Sequence, residues 1–323
     1  MTPESQHFLE ELKAATEGVL FVTAGDYPLD LFVWNVEEDG EFNTSNFLQR
    51  QRYLAPVEAA DFFGLGEYLE GYQRCGASTI LCMAEKKETA LMYAQKAGNF
   101  LNFLSSRAIH FETYRVVKYD LPIYDEADKC LVDHRLGART YESSRLLIGE
   151  VSDSIWMAIA SLEDTYLDFE YETDESFIGE SLQQVSHQID ELLKSIREAA
   201  YDLVFIRRNC GEAYDEATKI IFEVASSKAA VVDRVLHGNG FLRTCDFMSL
   251  YLQEKGMLID CLTDFPDDGY SDGKFASIDR LIKSYLTDLK TIFVGTGDVF
   301  DVYLVGQDFA GNWLGLLTIA SWA

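Results

Sequence analysis

"LKAATEGVLFVTAGDYPLDLFVWN", residues 12–35, decides how the rest of the chain is read. Leu12 and Ala15 continue a helical stripe begun at Phe8. Thr2 offers a capping hydroxyl before Pro3 at the first helical position, and Gly18 ends the run. Val19-Leu20-Phe21-Val22 is a compact apolar run, and Leu29 to Trp34 is rich in β-formers. Thr23-Ala24-Gly25-Asp26 makes a turn between them, with Pro28 at a strand edge. The chain opens helix, strand, turn, strand.

The same order returns later. Leu182, Val185, Ile189, Leu192, Ile196 and Ala199 step by three and four, so an amphipathic helix precedes Leu203-Val204-Phe205-Ile206. At a shift of 184 residues Leu12, Ala15 and Phe21 fall on Ile196, Ala199 and Phe205. After a longer turn, Lys219 to Val224 supplies the second strand of this copy. A repeat of half the chain length is the simplest explanation. In the second halves only element order agrees. Phe275, Ile278, Ile282, Tyr285 and Leu289 form a helical stripe followed by strands at 291–295 and 299–305. Leu91, Ala94, Leu101 and Leu104 form a comparable stripe followed by strand-like segments near 112–119 and 145–160.

Between the halves, "SLEDTYLDFEYETDESFIGE", residues 161–180, holds eight acidic residues and no basic one. Self-repulsion extends such a run and keeps it solvated, so it reads as a linker. Its carboxylates also suit a hard cation, but the glycine-centred geometry of a calcium loop is missing. The expected domains are 1–162, an acidic linker at 163–180, and 181–323.

The wider composition narrows the function classes. The chain has 323 residues, 48% of them hydrophobic, enough to fill one large core or two ordinary ones. Lys+Arg 27 against Asp+Glu 54 gives a net charge of -27, a field that repels phosphate backbones and attracts basic surfaces. Acidity that only maintains solubility is the plain alternative. The six cysteines, at 75, 82, 130, 210, 245 and 261, form no CxxC pair, and no apolar stretch follows an N-terminal basic patch. A reducing cytoplasm is expected. No apolar run reaches the roughly 18 to 20 residues of a membrane-spanning helix.

Catalytic constellations are missing. The five histidines, at 7, 110, 134, 187 and 237, join no HExxH or GxSxG, and His7 and His187 fall on predicted helix surfaces. Gly64-Leu65-Gly66 and Gly295-Thr296-Gly297 lack the third glycine and the strand-to-helix turn of a pyrophosphate cradle. Arg207-Arg208-Asn209-Cys210-Gly211 places arginines beside a thiol, which favours thiolate, but no histidine base is near in sequence. A solvated turn is the simpler reading. No cofactor or metal is expected.

The stretch Leu9 to Trp34 resembles the start of the nuclease A inhibitor family, small proteins that block a sugar-nonspecific nuclease. "KFASIDRLIKSYLTDLKTIFVGTGDVFDVYLVGQDFAGNWLGLLTIA", residues 274–320, resembles its end, with a helix, the Asp301 to Gly306 strand and the Ala310-Gly311-Asn312 turn. Asp61-Phe62-Phe63 is similar to an interior segment. Two arrangements accommodate this: one family domain interrupted by a long insert between about residues 72 and 265, or two family-like domains in tandem. The helix, strand and "IIFEVASSKAAVVDRVLHGNG" of residues 182–240 favour the tandem reading.

The resemblance implies an α/β/α sandwich that inhibits without catalysing. In the family an acidic side chain of the first strand–strand turn and the C-terminal carboxylate reach the nuclease's active-site metal. A carboxylate is the preferred ligand of Mg²⁺, and a rigid turn presents it at small entropic cost. The expected contact turn here is Thr23, Ala24, Gly25, Asp26 and Tyr27, with Trp322 and the Ala323 carboxylate beside it. The acid's place in the turn is taken by Ala24, and in the second copy by a position near Arg208. Neither can ligate Mg²⁺. Asp26 lies two residues on. The expected function is binding to a protein partner, a nuclease with a basic metal-containing cleft being one candidate and a different partner on the same scaffold the other.

Overall fold

The computed structural model describes residues 1–22, 26–59, 80–107, 109–118, 141–161, 187–201, 203, 205–207, 216–218, 220–246, 274–296 and 299–321. The expected linker at 163–180, the turn residues 23–25, Gly64 to Gly66, Cys210 and Arg208 lie outside them. The chain divides into two compact units, Met1–Asn46 with Phe241–Ala323, and Phe47–Gly240. These units group the chain otherwise than the expected sequential split.

Helix α1 (Pro3–Thr16) starts as its sequence dictates: the Thr2 hydroxyl accepts from the Ser5 amide at 3.2 Å. It ends before Gly18, whose φ of +69° suits glycine. Strands β1 (Leu20–Val22), β2 (Asp26–Pro28) and β3 (Asp30–Trp34) follow, then α2 (Val36–Asp39), capped by Asn35, and α3 (Thr44–Arg50). Next come β4 (Leu54–Pro56), α4 (Ile80–Ser106), β5 (His110–Lys118), β6 (Tyr141–Ser152) and β7 (Ile155–Ser161). The predicted single strand-like segment at 145–160 is thus a hairpin that turns at Asp153-Ser154, where no glycine or proline announces it.

The later part holds α5 (His187–Ala200), β8 (Phe205–Arg207), β9 (Glu216–Thr218), β10 (Ile220–Ala225), α6 (Lys228–Gly238) and β11 (Leu242–Asp246). It closes with α7 (Lys274–Tyr285), β12 (Thr287–Thr296), β13 (Val299–Gln307) and β14 (Trp313–Ser321). The helical stripe read through to Leu289 stops at Tyr285. Asp288, at φ 47°, redirects the backbone, and Leu289 belongs to β12.

In the first unit the sheet order is β11-β12-β13-β14-β3, all antiparallel. Val302, Tyr303, Leu304 and Val305 are consecutive and all buried, so both faces of the sheet are covered. Helices α1 and α7 pack together, with Phe8 stacked on Tyr285 at 4.5 Å and Phe8, Leu12, Ile278 and Ile282 buried. Phe32, Trp34, Phe42, Tyr303 and Trp313 form an aromatic cluster, in which Phe42 stacks on Trp313 at 4.5 Å. The Trp34 indole N–H is satisfied by the Gly40 carbonyl at 2.9 Å.

In the second unit the order is β10-β7-β6-β5-β4, again antiparallel. Leu147, Met157, Ile159 and Val224 share a core with Ala97, Phe100 and Leu104 of α4 and Leu193 and Ile196 of α5. Leu146, Ile148, Ala158 and Ala160 alternate with them and are equally buried; α6 packs on β6, β7 and β10 through Val231, Val232, Val235 and Leu236. The expected α/β class is what both units show.

Candidate functional site

The hairpin that the sequence singled out is formed by β1 and β2, in the register Leu20↔Pro28, Phe21↔Tyr27 and Val22↔Asp26. That register leaves residues 23–25 to close it. One face of the hairpin is anchored, since Phe21 and Tyr27 are buried, while Leu20 is 42% exposed. Alternation of this kind fixes one face of the hairpin to the core and turns Leu20 away from it.

What holds the hairpin is the last strand. β14 lies against both β1 and β2. It pairs with β3 only from Trp313↔Trp34 to Leu317↔Asp30. Beyond that pairing the Thr318 hydroxyl, itself buried, donates to the Pro28 carbonyl at 2.9 Å. Residues 318–321 therefore run past the end of β3 beside the hairpin. Of the predicted contact residues, Asp26 and Tyr27 open β2 on this edge. Thr23, Ala24, Gly25, Trp322 and Ala323 lie outside the described residues, the last two following directly on β14. Chain segments some 290 residues apart are thus gathered at one edge.

A second element fixes the frame on which this edge sits. In the β13–β14 turn the Asp308 carboxylate, 5% exposed, accepts four hydrogen bonds. They come from the Ser5 hydroxyl at 2.6 Å, the Asn312 side-chain amide at 3.0 Å, and the backbone N–H groups of Ala310 at 2.9 Å and Asn312 at 2.8 Å. Burial pushes the Asp308 carboxyl up, but the bonds from Ser5, Asn312 and Ala310 outweigh it and hold the group below its ordinary value. The Asn312 carbonyl oxygen of the side chain accepts from the Val36 amide at 3.2 Å. One turn near the end of the chain thus ties down the start of α1 and the start of α2.

Sequence reasoning quoted the Ala310-Gly311-Asn312 turn but missed Asp308 and Thr318. An aspartate four residues before asparagine around a glycine is an Asx-turn signal that would have found Asp308. Thr318 has no local signature, because its partner is Pro28. No group of three or more metal-ligating side chains occurs among the described residues. Among them, too, no helix is long and apolar enough to cross a membrane.

The fold and the edge define a class: an α/β protein that braces a short hairpin against its last strand. Residues 6–125 match the family described as nuclease A inhibitor-like protein, NuiA, and this stretch of the chain is nuclease A inhibitor-like. It includes the hairpin, β3 and Asp61 to Phe63; the similar closing segment at 274–320 lies outside it. An inhibitor-like family implies a protein partner. No curated protein matches the chain.

Proposed function

We propose that the protein acts by binding another protein, without catalysis, and that its target is a metal-dependent, sugar-nonspecific nuclease met through the β1–β2 hairpin. The observation that carries this reading is the nuclease A inhibitor-like match over residues 6–125, which contains the whole hairpin. Thr23, Ala24, Gly25, Asp26 and Tyr27 form the contact turn, with Trp322 and Ala323 beside it. The net charge of -27 steers the chain toward a basic cleft. We also read residues 1–162 and 181–323 as two copies of one scaffold.

A specific observation favours a second reading, the same scaffold with a different protein partner: the expected acid of the turn is Ala24. Titrating the chain into a Mg²⁺-dependent, sugar-nonspecific nuclease and following DNA cleavage separates the two. Suppression near equimolar ratio, weakened by Asp26→Ala, supports inhibition through a shifted acid. Full cleavage at excess chain would refute inhibition and leave the altered partner.

A further inference from the structure

We infer that the two copies of the scaffold have exchanged their N-terminal halves within the chain, so that each compact unit is a composite of both. The inference rests on the duplication proposed above.

Three observations carry it. First, the two halves have one element order. The described elements of residues 3–161 run helix, short hairpin, strand, two short helices, strand, helix and three strands; those of residues 187–321 run through the same series with one helix in place of the two. Helices α1 and α5 end at Thr16 and Ala200, the shift of 184 that aligned the sequences.

Second, the two sheets have one strand order. Reading β11-β12-β13-β14-β3 beside β4-β5-β6-β7-β10 matches every strand to its sequence equivalent. In each sheet four neighbouring strands come from one half of the chain, and the fifth comes from the other. β3 lies on β14 instead of β7, and β10 lies on β7 instead of β14. The helices follow their strands: α1 packs on α7, and α5 on α4. Third, the family match over 6–125 runs as one stretch across the division at Asn46/Phe47. The other division, Gly240/Phe241, falls in the interval between β10 and β11, as the first falls in the interval between β3 and β4.

Exchange costs little in contact energy, because each fifth strand finds an equivalent edge on the other copy. A tether between the copies raises their effective concentration and favours exchange inside one chain. The functional consequence is that the presenting hairpin belongs to the first copy and the strand that braces it to the second. Neither copy alone holds the candidate site.

The test uses the full chain with a protease site inserted between residues 162 and 186. One variant carries Asp30→Cys with Leu317→Cys, and another carries Ala158→Cys with Glu223→Cys; both are register partners. The parent, with its six cysteines, is the control. After oxidation and cleavage, the exchanged chain runs as one band without reductant and as two with it, for both variants. Failure of both pairs to link, with cleavage releasing two separately folded halves, overturns exchange and leaves duplication standing. Linking of 30/317 without 158/223 overturns exchange, since only one fifth strand then lies on the other half of the chain. Disulfide-linked dimers of uncleaved chain would move the exchange between molecules and also overturn the inference. Should a cysteine variant fail to fold, the cleaved parent decides. Fragments that co-elute until denaturant unfolds them support exchange, and fragments that separate under native conditions overturn it.

Discussion

Replacing Asp308 with alanine removes the acceptor of four hydrogen bonds at 2.6 to 3.0 Å in a site that water barely reaches. Each buried donor left without a partner costs about 1–3 kcal/mol, and hydrogen bonds to a charged group lie in the upper part of that range. The four do not add. The Ser5 hydroxyl keeps its contact with the Thr2 hydroxyl at 2.8 Å, and a water can enter the space vacated. Loss of a buried carboxylate also removes its own desolvation cost. The expected net destabilisation is about 3 kcal/mol, or roughly 10 °C in Tm for a unit of this size. Asp308→Asn, which keeps an acceptor for the backbone amides but turns a donor toward Ser5 or Asn312, should lose about half as much.

The pH dependence gives an independent check. The folded-state carboxyl of Asp308 is held below its ordinary value, so its contribution is fully present above the unfolded value near ~3.9. It is lost as pH falls through the folded value. The stability gap between the parent and Asp308→Ala should therefore be constant above about pH 5 and narrow below that. Urea melts followed by tryptophan emission and thermal melts by circular dichroism, run from pH 7 down, measure both quantities. A variant within about 0.5 kcal/mol of the parent, or a gap that stays constant into acid, would refute the reasoning.

Other substitutions test neighbouring links. A Cβ at Gly315, where φ is +154°, would stand 1.9 Å from the Leu304 carbonyl oxygen, so Gly315→Ala should part β13 from β14 and lower Tm by far more than Asp308→Ala; an unchanged Tm contradicts the close approach. Thr318→Val removes the bond to the Pro28 carbonyl and should speed amide exchange in residues 20–28 by about fivefold, corresponding to ~1 kcal/mol; equal exchange rates would show that Thr318 does not hold the hairpin. If acidity steers the chain to a basic partner, the association rate should fall at least tenfold between low and high salt, whereas a flat salt dependence removes steering from the account.

What the sequence makes legible is what local chemistry encodes. Thr2-Pro3 and Gly18 bound α1 because capping and a left-handed stop act within a turn of the helix. The β1–β2 hairpin is equally local. Two boundaries went astray for identifiable reasons. Leu289 falls in helical phase with Tyr285 although the backbone turns at Asp288, and Asp153-Ser154 closes the β6–β7 hairpin without a glycine. Strand partnership was hidden altogether. β3 pairs with β14, and nothing in Asp30 to Trp34 names its neighbour. Thr318 is illegible for the same reason, its partner lying at the far end of the chain.

Amide exchange measured with and without a Mg²⁺-dependent, sugar-nonspecific nuclease shows whether a protein partner is met at the β1–β2 hairpin. Binding at the hairpin slows exchange in residues 20–28 and at the end of β14 and leaves the β11–β12 side of the same sheet unchanged. Protection confined to other elements, or none at saturating nuclease, would contradict it.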